Sequence, residues 1–308
     1  MISKLAPARR ASAVHRTAVD VVRWRPPGAY ALALEVLSIS QLRERAPREH
    51  FEQLQRVEFY MLVTLTRGHT THQIDFASID ARPGTWLLLR PGQLQRFDLF
   101  SAWQGWSVVF RPELLPAAER RQHSPMQALA ALVDALPNVL ALPPDVHRLC
   151  CAQVRRMRSD AELHAGVDDR NALLLYQLAS LLTRLRLHAS PRPQGAAPPA
   201  IEAERVARLR VLIEAGAQAR HPATWYAERL GCSAKTLQRA VQRVSGKPLK
   251  AMIDERLALE SRRRLVHSAE PVKRIADALG FADVSNFIKF FRRMAGCTPV
   301  AFRRRHQA

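Results

Sequence analysis

Lys235, Gln238 and Arg239 stand close together in the run Ser233-Ala-Lys-Thr-Leu-Gln-Arg-Ala-Val241, which reads as a short amphipathic helix. Arginine can bind guanine through two donors, glutamine can bridge adenine N6 and N7, and lysine can reach guanine or a phosphate. Leu237 and Val241, four apart, belong on the opposite, buried face. A second run, Asp283-Val-Ser-Asn-Phe-Ile-Lys-Phe-Phe291, repeats the design. Here Val284, Ser285 and Lys289 take the exposed side, and Phe287 and Phe291 the buried one. Val284 suits a thymine methyl, and Asn286 suits either a DNA contact or the turn before the helix. Side chains of these types can bond to base edges or to phosphates.

The elements that must position them are also duplicated. Trp225-Tyr-Ala-Glu-Arg-Leu-Gly231 precedes the first run and Arg274-Ile-Ala-Asp-Ala-Leu-Gly280 the second. Gly246-Lys-Pro-Leu-Lys-Ala-Met252 and Gly296-Cys-Thr-Pro-Val-Ala-Phe302 follow them. Ala227 matches Ala276, and Leu230-Gly231 matches Leu279-Gly280. Beyond the turn Gly246 matches Gly296, so the second turn is one residue longer. Ala227 and Ala276 are small enough for two helices to cross closely, and Gly231 and Gly280 can take the positive φ of a helix C-cap. The spacing predicts helix-turn-helix units over 223–244 and 272–295. A helix over Ile201–Gly216 precedes them, a long helix over Leu249–His267 joins them, and a short one near Pro299–Arg305 ends the set. Two such units imply two groove contacts from one chain.

Charge agrees with a polyanionic partner. The 308 residues, enough for about two domains, carry 47 Lys and Arg against 27 Asp and Glu, a net +20. From Ile201 to Ala308 there are 22 basic and 10 acidic residues, so +12, against +8 over the first 200. The densest runs, Arg262–Arg264 and Arg303–Arg305, make Arg263, Arg264, Arg303 and Arg304 candidates for phosphate contact. Cys150, Cys151, Cys232 and Cys297 form no CxxC pair and no zinc spacing, so reduced thiols in the cytoplasm are expected. The N-terminal residues lack the apolar core of a signal peptide, and no apolar window is long enough to span a membrane.

Residues from about Ala29 to Arg111 read as strands: Tyr30–Ile39, Val57–Leu65, Thr85–Leu89 and Trp106–Phe110, separated by Pro/Gly turns. Short, closely spaced strands predict a β-sandwich or a small barrel. Trp86, Trp103 and Trp106 fall there and are candidates for an effector pocket. About 112–188 reads as helical. In Asp168–His188, Leu174, Leu178, Leu181 and Leu185 form a 3.5-period seam that suits a dimer interface. Four prolines in Ala189–Ala200 then break all periodicity. The segment 189–200 reads as an extended linker between a sensor over 1–188 and a DNA reader over 201–308, with few contacts expected to cross it. The fold class expected is α+β and multidomain, with an all-α C-terminal part. No Gly-x-Ser-x-Gly nucleophile motif occurs. His69 and His72 have no matching HxH or Glu, so no enzyme, metal or cofactor is expected. The rival reading is a cupin-type metalloenzyme fused to a DNA-binding domain.

The doubled unit resembles the AraC/XylS family of bacterial transcription regulators. The resemblance covers about Ile201–His306 and rests on Ala227-x-x-Leu230-Gly231, Leu237-Gln-Arg239, Ile275-Ala276, Leu279-Gly-Phe281, Asn286-Phe287, Phe290-Phe-Arg292 and Gly296-x-Thr298-Pro299-x-x-Phe302-Arg303. His72-Gln-Ile-Asp-Phe76 and Pro91-Gly-Gln-Leu-Gln-Arg-Phe97 are similar to the cupin-type sensor of that family. Gln95 stands where many relatives carry histidine, a departure that counts against a metal-binding cupin. The resemblance implies seven helices in the DNA-binding part, with recognition helices in successive major grooves ~34 Å apart; by motif it places Lys235, Gln238 and Arg239 on the groove-facing side of the first and Val284, Ser285 and Lys289 on that of the second. It also implies a small-molecule effector, a homodimer, contact with RNA polymerase and activation.

Overall fold

The protein is described by a computed structural model over residues 20–24, 26, 30–45, 48, 51, 53–114, 129, 133, 136–189, 200–216 and 221–306. Its N-terminal part is built on two five-stranded sheets. One runs β10 (Val139–Ala141), β7 (Thr85–Leu89), β4 (Tyr60–Arg67), β9 (Gln104–Phe110), β2 (Leu34–Ser38). The other runs β1 (Asp20–Val22), β3 (Gln55–Val57), β8 (Leu94–Phe97), β5 (Thr70–Ile74), β6 (Ala77–Ala81). Among the described residues β1 and β3 pair in parallel and the other strand pairings are antiparallel.

Strands β4 and β7 are covered on both faces, which is why they read as apolar runs rather than alternating ones. Met61, Val63, Leu65, Leu87 and Leu89 enter the core between the sheets. Leu62, Trp86 and Leu88 turn the other way, under helices α2 (Pro144–Ala161) and α3 (Val167–Ala189). A short helix, α1 (Ile39–Arg45), follows β2. Strands β5 and β6 form a hairpin whose two-residue turn is Asp75-Phe76, with Ile74 opposite Ala77. Asp75 adopts φ 53°, a left-handed conformation that Asp tolerates better than most residues.

The expected seam of α3 is internal. Leu174, Leu178, Leu181 and Leu185 are buried in their own chain, in one cluster with Val146, Cys150, Val154 and Met157 of α2 and Val108 and Phe110 of β9. A 3.5-period stripe marks a helix face that needs a partner. Here the partner is the α2–sheet surface, so these leucines are not a dimer interface.

The C-terminal part is α4 (Ala200–Ala215), α5 (Ala223–Arg229), α6 (Ala234–Ser245), α7 (Leu249–His267), α8 (Val272–Ala278), α9 (Val284–Ala295) and α10 (Pro299–His306). These are the helices the periodicity predicts, within a residue or two. Residues 190–199 of the linker lie outside the described residues. The expectation that few contacts cross it is corrected. Leu54, Phe76 and Leu94 pack into the same cluster as Phe287, Phe291 and Phe302. Phe76 stands edge-on to Phe302, with centroids 5.1 Å apart. Arg263 of α7 meets Asp75 in a buried ion pair at 2.9 Å. The apolar and charged groups at the β5–β6 turn had no partner assigned in the sequence, and this docking supplies one.

Candidate nucleic-acid interface

The two helix-turn-helix units are built by the same bonds. α5 ends with Gly231 at φ 62° and α8 with Gly280 at φ 76°. At each end one backbone N–H reaches back to the small residue: Cys232 N to Ala227 O at 3.0 Å, and Phe281 N to Ala276 O at 3.1 Å. Ala227 and Ala276 are both buried. Each recognition helix then starts on a side-chain cap, with the Ser233 hydroxyl accepting from Thr236 N at 3.1 Å and Asp283 Oδ1 from Asn286 N at 2.7 Å. Both end on a left-handed glycine, Gly246 and Gly296. Phe281, at the position of Cys232 in the first unit, turns inward against Phe287 and Phe290.

Burial divides each recognition helix as its pattern requires. On α6, Leu237, Ala240 and Val241 are buried, while Lys235, Gln238 and Arg239 are exposed. On α9, Phe287, Phe290 and Phe291 are buried, Ser285 and Lys289 are exposed and Val284 is half-buried. Asn286 is exposed, but its amide also donates to the Asp283 carboxylate, so it serves the turn. α7 holds the two units together. Arg256 pairs with Glu214 of α4 at 2.8 Å and Asp254 with Arg293 of α9 at 3.0 Å.

The arginine candidates separate. Arg263 is buried and committed to Asp75, and so is corrected as a phosphate contact. Arg303 donates to the carbonyls of Leu265 at 3.0 Å and Glu270 at 2.6 Å, so its donors tie α10 to α7 instead. Arg264 is held at 3.2 Å by Glu260, four residues earlier. Arg304 is exposed and free of a protein partner among the described residues. Sequence density alone cannot distinguish these arginines, because neighbours on a helix point 100° apart.

The three tryptophans do not share a pocket. Trp86 is buried under α2, donating to His147 Nδ1 at 3.2 Å. Trp103 is buried on the other side of that sheet, donating to the Asp98 carbonyl at 2.9 Å. Trp106 packs half-buried against the outer cluster. Their bulk fills core space, which corrects their reading as an effector pocket. A cavity of about 390 Å³ lies elsewhere, between β2 and the α2–α3 hairpin, with Tyr30, Arg45, Arg158 and Arg170 in its wall. No spacing motif announces it, because its wall comes from four separate elements. His72 is buried without a hydrogen-bond partner and its pKa is pushed down to about 3 by burial. Among the described residues no three His, Cys, Asp or Glu side chains converge to hold a metal ion. No helix there is long and apolar enough to cross a membrane.

Two family models match the chain. One, described as a helix-turn-helix domain, matches residues 226–305; the other, an AraC-like ligand binding domain, matches residues 37–179. No curated protein matches. Among solved structures, the chain is similar to the C-terminal domain of AraT, a response regulator from Geobacillus stearothermophilus. Identity is 21% over 36% of this chain and 88% of that one, with a TM-score of 0.32. It is similar to an AraC-type transcriptional regulator from Chromobacterium violaceum at 20% identity, over 34% and 93% of the two chains, with a TM-score of 0.32. It is also similar to ToxT from Vibrio cholerae at 11% identity, over 90% and 100%, with a TM-score of 0.39.

Proposed function

This chain belongs to the AraC family of DNA-binding transcription regulators, and we propose that it is an effector-responsive activator in which α6 and α9 read successive major grooves on one face of the duplex. The observation that carries the reading is the matched exposure of the two recognition helices on matched caps. Lys235, Gln238 and Arg239 are the base readers of the first unit; Val284, Ser285 and Lys289 are those of the second, with Asn286 at its edge. Arg304 is the phosphate contact. Residues 201–308 form the reader and 1–188 the sensor. A small molecule bound by the sensor biases the reader's orientation, and the docking of the β5–β6 turn on α7 and α10 supports that coupling. The active species is a cytoplasmic homodimer that contacts RNA polymerase. Leu173, Tyr176 and Leu187, exposed along α3, are its dimer face.

Footprinting on genomic fragments selected by the purified protein tests this. Each protomer should protect two major-groove segments about one helical turn apart. Uniform coverage with no preference over random DNA would overturn the reading.

A further inference from the structure

We propose that the cavity between β2 and the α2–α3 hairpin is the effector site, and that it takes a small organic monoanion, a carboxylate on an apolar body. This rests on the effector-responsive reading above and names the ligand class of its sensor. The cavity measures about 390 Å³, within the range of small-molecule sites, roughly 300–1,000 Å³. Leu32, Val36, Leu37, Ala161 and Val167 give it an apolar wall.

The lining also carries three guanidinium groups and two carboxylates. Arg45 is neutralised by Glu35, through Nη1 to Oε2 at 2.9 Å and a second contact from Nη2 to Oε1. Arg158 is neutralised by Glu162 at 2.9 Å, and its Nη1 donates to the Val36 carbonyl at 3.0 Å and to Gln41 Oε1 at 2.6 Å. Arg170 is different. Its Nη1 donates to the Ala161 carbonyl at 3.1 Å, its buried Nε has no partner, and no carboxylate pairs with it among the described residues. The wall therefore holds one unmatched positive charge, on a group with donors left over.

Tyr30 adds no negative charge. Burial, followed by Glu35, pushes its hydroxyl up to about 12, and it donates to the Leu34 carbonyl at 2.7 Å. Val167 opens the long helix α3; Asp168 and Asp169 in its first turn are exposed and lie outside the cavity wall. A carboxylate accepts well from a guanidinium, and its apolar body would cover the leucine and valine wall. A cation would meet Arg170, and a bare inorganic ion would leave the apolar wall wet. The site spans the end of α2 and the start of α3. A ligand drawing Arg170 to β2 would clasp the hairpin to the sheet.

Calorimetric titration of the full chain tests this, with benzoate and hexanoate as probes, benzamide and hexanamide as neutral isosteres and inorganic phosphate as a bare anion. The carboxylates should bind one per chain, about tenfold or more tighter than their amides and than phosphate. Arg170→Met should lose about tenfold or more, and Arg170→Lys should keep part of the affinity. Should Arg170→Met not fold by circular dichroism, Val167→Trp, at a partly exposed wall position, should block binding by filling the cavity. Equal affinity for acid and amide, phosphate as tight as the carboxylates, no binding of either acid, or unchanged binding in these variants would overturn the proposal. Arg239→Ala should bind the carboxylates normally. Operator binding without a carboxylate site would sink the pocket and keep the regulator; a carboxylate site without operator binding would do the reverse.

Discussion

Asp75 and Arg263, 188 residues apart, face each other through two parallel hydrogen bonds, Nε to Oδ1 at 2.9 Å and Nη2 to Oδ2 at 3.0 Å. Side-chain exposure is 11% for Asp75 and 8% for Arg263. The carboxylate also accepts from Gln93 Nε2 at 2.9 Å and Leu94 N at 3.2 Å, so the sensor holds it in place before the arginine arrives. The sensor's hairpin turn thus grips the helix that joins the two DNA-reading units.

Removing one member of this pair strands a buried charge, a loss of about 3–5 kcal/mol. Asp75→Ala and Arg263→Met should each lower the urea midpoint, and the double variant should recover part of that loss. Both single variants should also raise operator binding in the absence of effector, read by fluorescence anisotropy. Strictly additive losses would show that the two residues are not coupled.

Arg239 stands exposed on α6 beside Gln238. Arg239→Ala should weaken operator binding by about 1–3 kcal/mol and relax preference at one base pair. A binding-site selection that returns the wild-type preference at every position would exclude a reading role.

Arg304 is the one arginine of the four phosphate candidates without a protein partner among the described residues. Arg304→Ala should lower the slope of log affinity against log salt by about 0.9, equally on specific and random DNA. Arg303→Ala should instead act on stability, since its donors cap carbonyls of Leu265 and Glu270. An unchanged slope for Arg304→Ala would leave it as solvated surface.

Leu178 is fully buried against α2 and the sheet. Leu178→Glu should therefore unfold the sensor rather than yield a folded monomer. By contrast, Tyr176→Glu, at 68% exposure, should fold and shift sedimentation toward monomer. A folded Leu178→Glu chain would contradict the internal seam.

Two histidines set an acid limit. His267 of α7 is held down to about 4, first by burial and then by Arg56 and Arg263, and His72 to about 3 by burial alone. Unfolded, each takes up its proton near the ordinary value of about 6.5. The unfolded chain binds more protons below that pH. The stability these groups contribute is complete above about 6.5 and is lost as pH falls toward the folded values. Urea midpoints should fall from about pH 7 to about pH 4.5, and His267→Gln should flatten part of the fall. A flat profile in the wild type would show that neither ring is buried.

The helices of the reader, their turn glycines and the division of α6 and α9 into buried and exposed faces can be read from the chain alone. Those features follow from local periodicity and from glycines at fixed turns, which near neighbours in the chain suffice to define. Strands β5 and β6 escaped it because Thr70–Ile74 and Ala77–Ala81 carry few apolar residues; β6 lies at a sheet edge with most of its side chains exposed. What each apolar or charged surface meets is set by packing. Leu174 and Leu178 read equally well as an interface or a core until α2 covers them. Arg263 and Arg304 have the same chemistry in similar basic runs. One is spent on Asp75 and the other is left to solvent, because side-chain direction and the approach of a distant hairpin are properties of the packed chain and not of the run.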